Sequence, residues 1–102
     1  MFEVHIFIPL KSNDGKKFPP SHHVAFEAFV LVRFEGITRL AGTAAGHWRD
    51  GSKTYSDTLI IYVIALNSIA QGHLVAEVVA FAKVHYGQEA IYVRYLGIAE
   101  IL

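Results

Sequence analysis

There is no cysteine among the 102 residues. That removes a disulfide framework and any thiolate metal site. No stretch reaches the roughly 18 apolar residues that a membrane-spanning helix needs. Met1-Phe2-Glu3 leads directly into a strand-like pattern, with no basic segment followed by an apolar one, so a signal peptide is not expected. Charge is scarce: Asp, Glu, Lys and Arg make up 18%, against a usual share of about 25%. Nine basic and nine acidic residues cancel, and there is no basic run. A phosphate backbone attracts clustered Lys and Arg, so no nucleic-acid partner is expected. These absences lead to the expectation of a soluble, cytoplasmic protein with no membrane partner.

What the chain has in excess is apolar material, 53% of its residues. One small domain has a high ratio of surface to volume and should need less of it. Exposed apolar surface of that kind marks an interface, so a homo-oligomer is expected, most simply a dimer.

The pattern centres on the stretch from Ile37 to Leu66, which reads as one long β-hairpin. Ile37-Thr38-Arg39-Leu40 leads in, Asp50-Gly51 turns, and Leu59 to Ile64 returns. A turn made of Asp50 and Gly51 pairs Arg49 with Ser52, His47 with Thr54 and Arg39 with Tyr62. The small residues from Ala41 to Gly46 invite a bulge that would shift this register.

Ahead of the hairpin, Glu3 to Leu10 alternates, with Val4, Ile6 and Ile8 on one side and Glu3, His5 and Phe7 on the other. Lys11 to Pro20 carries Asn13-Asp14-Gly15 and Pro19-Pro20 and reads as a loop. Ser21 is the expected N-cap of a helix from about His22 to Phe34 that stops at Gly36. Phe26, Phe29, Val30 and Phe34 form its main stripe, and Val24, Ala28, Leu31 and Val32 make most of the rest apolar, a second pointer to an oligomer. After the hairpin, Asn67 or Ser68 caps a second helix that runs to Tyr86 and ends at Gly87. Glu89 to Tyr95 is a last strand, with Ile91 and Val93 alternating against Tyr92 and Arg94, and Leu96 to Leu102 continues in a strand-like way.

The order β-α-β-β-α-β predicts one domain over residues 1–102: a ferredoxin-like α+β sandwich, a four-stranded antiparallel sheet with two helices on one face. Val4, Ile6, Ile8, Leu59, Ile61, Ile91 and Val93 are expected to meet the helices. His5, Phe7, Arg39, His47, Tyr62, Tyr92 and Arg94 are expected on the open face. That face is the candidate site. His5 or His47 can act as a general base. Arg94 and Arg39 can hold a carboxylate or enolate, with Tyr92 and Tyr62 beside them. The same side chains can equally line a dimer interface. No nucleophile stands at a diagnostic spacing from a base.

Three smaller features have plain structural readings. His47-Trp48-Arg49-Asp50 forms the hairpin tip, where Trp48 can anchor an interface and Asp50 serves the turn. Asp57 within a strand is either an edge device against aggregation or the wall of a cleft. His23 with Glu27, and His73 with Glu77, stand one helical turn apart, but two ligands do not make a site, so no metal and no cofactor are expected.

Three families share this element order. The RNA-recognition motif carries a basic-Gly-aromatic-Gly-aromatic pattern that Thr54 to Ile60 lacks, and heavy-metal-associated domains need Cys-x-x-Cys. The chain resembles the dimeric α+β barrel superfamily in size and pattern. That resemblance implies pairing of open sheet faces and, in some members, cofactor-free monooxygenase or isomerase activity on a small anionic or aromatic metabolite. The chain is also similar to small uncharacterised bacterial proteins with a Gly-x-Trp-x-Asp hairpin, here Gly46 to Asp50, and a late Glu-Ala-Ile-Tyr-Val strand, here Glu89 to Val93. The functional expectation is a dimeric interaction or ligand-binding domain, with the cofactor-free enzyme as the alternative.

Overall fold

The computed structural model describes residues 2–98. Its elements are β1 (Phe2–Pro9), α1 (Pro20–Leu31), β2 (Thr38–Arg39), β3 (Ala44–Asp50), β4 (Lys53–Leu66), a short 3₁₀ turn (Ile69–Gln71), α2 (Gly72–His85) and β5 (Tyr92–Ile98). The expected continuation of the last strand past residue 98 lies outside the described residues.

The sheet has five antiparallel strands, not four, in the order β2-β4-β1-β5, with β3 also on β4. The difference comes from the expected second strand, which splits in two. Arg39 pairs with Tyr62 and Ala44 with Leu59, so five steps on one side oppose three on the other. The surplus loops out at Leu40–Thr43, where Gly42 takes φ 78°. A side chain there would strain the backbone, which is why the break falls on a glycine.

The hairpin register near the tip also differs from expectation. Asp50 pairs with Lys53 and Arg49 with Thr54, so Gly51 and Ser52 make the turn. Gly51 alone takes positive φ (64°), which suits the first of two turn residues and leaves Asp50 in the strand. From Asp57 toward the turn β4 pairs with β3 alone, and the two project as a ribbon that draws the molecule out to 44 × 29 × 25 Å.

Both helices begin off their expected residues. In α1, Pro20 is already helical and Pro19 sits at the cap, because a proline at the first helical position loses no hydrogen bond. The helix closes at Leu31, and Phe34 is buried in the turn beyond. Ser68 Oγ accepts from the Ala70 N–H to open the 3₁₀ turn, and α2 follows from Gly72.

Val4, Ile6 and Ile8 of β1 pack under both helices against Phe26, Val30, Val75, Val78 and Ala82. From β4 the contribution is Ile60, Tyr62 and Ile64, each fully buried. This reverses the expected faces of that strand. Ile61 and Val63 lie on the open side with their partners Phe7 and His5, and Leu59 lies there with Ala44. From Leu59 to Ile64 every residue is apolar or Tyr, so alternation carries no phase; pairing Ile6 with Tyr62 supplies it. Ile91 and Val93 pack on the helix side as expected.

Candidate functional site

The sequence candidates separate onto two sides of the sheet. On the open side, β1 and β5 pair His5 with Arg94 and Phe7 with Tyr92. The Arg94 guanidinium donates to His5 Nδ1 at 3.2 Å and lies 5.5 Å from the Phe7 ring centre. Phe7 and Tyr92 meet edge to face at 4.8 Å. Beside them a shallow hollow of about 250 Å³ runs under Leu59 and Trp48. Trp48 is paired with Tyr55 on the ribbon, on the same side of the sheet. Both rings are exposed.

His47 borders the same hollow but its ring does not bond to this group. It pairs with Ser56, whose hydroxyl is 2.9 Å from Nδ1, on the ribbon face opposite Trp48. Arg39 and Tyr62 do not join it either. They are directly opposite each other, and Tyr62 faces the helices, so Arg39 does too. The expected cluster of seven is therefore four residues on the open side, with Arg39 and Tyr62 on the other.

On the helix side a cavity of about 650 Å³ opens between the head of α1, the loop before it and the looped-out Leu40–Thr43. Leu10, Phe18, Pro19, Pro20 and Leu40 give it apolar walls, and its polar groups are Lys17, His23, Arg39 and Thr43. His23 is 4% exposed, the single buried polar or charged residue among those described. It continues the buried stripe of α1 back one turn, His23-Phe26-Val30.

His23 Nδ1 is 2.8 Å from the Tyr86 hydroxyl, and Nε2 has no partner among the described residues. Burial first, then the nearby Arg39 cation, hold the His23 pKa below its ordinary value, so the ring stays neutral. Burial holds Tyr86 far above its ordinary value, so it keeps its proton. The phenol O–H has Nδ1 as its acceptor, which leaves the neutral ring's own proton on Nε2. His23 thus lines the cavity while its Nε2–H, covered by protein, has no acceptor among the described residues.

Tyr62 stands behind this pair. Its hydroxyl donates to Glu27 Oε2 at 2.6 Å, and burial followed by that carboxylate raises its pKa far above ordinary. Glu27, spent on Tyr62, is not a second ligand beside His23. The other helical pair is spent as well: Glu77 bridges Arg33 at 3.0 Å and His73 Nδ1 faces the Ala70 carbonyl. Among the described residues no group of three or more His, Asp or Glu is placed to hold a metal ion.

The head of the cavity is braced by a reciprocal contact. His22 and His85 stack with ring centres 3.7 Å apart. Each donates Nε2–H to the other's backbone carbonyl, at 2.6 and 2.8 Å. Phe18 stacks on the outer side of His22 at 4.7 Å. The start of α1 is thereby tied to the end of α2.

The sequence had singled out Arg39 and its partner Tyr62, and His23 only as one half of a pair with Glu27. The signal for His23 was its place three residues before Phe26 on the buried stripe. Nothing in the sequence announced the cavity, whose wall is the loop that breaks the second strand.

Among the described residues no helix is long and apolar enough to cross a membrane. No protein-family model matches the chain, and no curated protein does. A solved structure, that of a phage SAM lyase in complex with S-methyl-5′-thioadenosine, matches it with a TM-score of 0.66 at 13% sequence identity. The match covers 93% of this chain and 79% of the lyase. What the two proteins share is an α+β fold.

Proposed function

We propose that this chain is a small-ligand-binding protein that works as a homodimer without a cofactor, with its ligand site in the cavity at the head of α1. The observation that carries the site is the buried His23, its Nε2–H unpartnered, on the same wall as Arg39. A buried donor left unsatisfied costs about 1–3 kcal/mol, and a ligand acceptor would recover it. Apolar walls with a few convergent polar groups are the usual make-up of such a site. Of the sequence candidates, Arg39 belongs to the cavity and Tyr62 supports it from behind.

The open sheet side is the proposed contact with a second copy. Phe7, Leu59, Ile61 and Val63 line it, Trp48, Tyr55 and Tyr92 flank it, and both helices lie on the other side. In this reading His5, Tyr92 and Arg94 are contact residues, and His47, out on the ribbon, has no part in the site. A soluble cytoplasmic protein without a nucleic-acid partner goes with this reading.

A cofactor-free enzyme is the second reading. A phenol-imidazole pair held out of water on a cavity wall suits proton transfer, and the lyase with a similar fold is an enzyme. The experiment is a titration with S-methyl-5′-thioadenosine, benzoate and benzyl alcohol, followed by amide NMR. Shifts centred on His23, Arg39 and Leu40 are expected with at least one probe; shifts centred on Tyr92 and Arg94 overturn the site.

A further inference from the structure

Resting on the cavity as ligand site, we infer that it takes a carboxylate on an apolar, ring-sized body, the carboxylate being held between the Arg39 guanidinium and the Nε2–H of His23. The cavity's charged groups are Lys17 and Arg39, both cations, and no acidic side chain lines it. Arg39 has no ion pair among the described residues, where the one salt bridge joins Arg33 to Glu77, although its side chain also stands near the Tyr62 hydroxyl. A guanidinium offers paired N–H groups in the geometry a carboxylate accepts. His23 adds one more donor whose ring is held from behind by Tyr86, and because its Nε2 is covered by protein the carboxylate reaches it by displacing part of the lining.

The head of α1 favours a carboxylate over a phosphate. Helix starts clasp phosphate through several free backbone N–H groups and the positive end of the peptide dipoles. Here Pro19 and Pro20 have no N–H, and the His22 N–H is spent on the Pro19 carbonyl at 2.9 Å. The dipole still favours an anion, but the amide cradle is missing. The remaining walls, Leu10, Phe18, Pro19, Pro20 and Leu40, offer apolar surface for a body of ring size.

The test uses benzoate, benzyl alcohol and phenyl phosphate on the full chain labelled with ¹⁵N-histidine. Benzoate is expected to move the His23 Nε2 resonance and to bind at least about tenfold tighter than benzyl alcohol, the effect of one charge-assisted contact. Arg39→Gln is expected to remove that advantage, bringing benzoate affinity down to that of benzyl alcohol. Arg39 is exposed, so the variant keeps the fold. His23→Gln, which keeps a side-chain N–H, should bind benzoate better than His23→Leu. Benzyl alcohol binding as tightly as benzoate overturns the carboxylate while leaving the cavity a ligand site. Phenyl phosphate binding tighter than benzoate, or Arg39→Gln leaving benzoate unchanged, does the same. A His23 resonance unmoved by all three probes overturns both this inference and the site it rests on.

Discussion

The hydroxyl of Tyr86, at the end of α2, lies 2.8 Å from Nδ1 of His23, in the first turn of α1, 63 residues away in the chain. One contact thus couples the packing of the two helices to the proton arrangement on the cavity wall. Tyr86→Phe removes the donor and leaves Nδ1 buried without a partner. Stability should fall by about 1–3 kcal/mol in urea unfolding, the cost of one buried unsatisfied group. In ¹⁵N-histidine spectra the Nε2–H form of His23 should cease to dominate; spectra like those of the parent chain would contradict the tautomer derived above.

Acid should destabilise the fold through His23. Its pKa is lower folded than the ordinary 6.5, so between the two values the unfolded chain binds more protons. Stability therefore rises with pH through that window and is lost as pH falls below the ordinary value. The groups facing His23 are Arg39 from β2 and Glu27, His22, His85 and Tyr86 from the helices. Urea midpoints measured from neutral to mildly acidic pH should decline, and His23→Gln should flatten the slope.

At the alkaline end the sign reverses. Tyr62 and Tyr86 have folded pKa values well above the ordinary 10.0, so they contribute stability that is full below that value. As pH rises past it the unfolded chain loses protons that the folded chain keeps, and stability falls. Of the five tyrosines, these two should ionise only as circular dichroism shows the fold opening.

Gly42→Ala should cost about 1–2 kcal/mol, because an L side chain resists the left-handed backbone found there. No neighbour lies where the new Cβ would go, so the cost is conformational and not a clash. The loop that the alanine would strain is also the cavity wall, so benzoate affinity should drop in the same variant.

Ile61→Lys places a charge on the open side of the sheet, opposite Phe7. Light scattering should change from about twice the chain mass of 11.3 kDa to that mass itself, with circular dichroism unchanged. A parent chain that already scatters as a monomer would refute the proposed contact face.

Much of the fold was legible because period and punctuation agree. Val4, Ile6 and Ile8 alternate cleanly, so the faces of β1 could be read, and with β5 beside it His5 and Arg94 meet. The site was less legible. His47 and His5 looked equivalent by alternation, yet the ribbon carries His47 away from the sheet. Tyr62 looked like an outward residue because alternation was phased with Leu59 and Ile61 facing the helices. It is fully buried because Glu27, reached only by folding α1 onto the sheet, accepts a hydrogen bond from that hydroxyl.

The sequence by itself determined the alternation of β1 and β5, two helices with their apolar stripes, and a chain short of charge and without cysteine. These follow from local rules: side-chain period, turn chemistry and composition. The tertiary structure alone decided the phase of β4, since six successive apolar or aromatic residues, Leu59 to Ile64, fit either way up. It decided the split of the second strand, since a bulge forms only against a partner whose register it must match. And it decided the cavity, since His23, Arg39 and Tyr86 come from three elements and converge only when both helices close over the sheet.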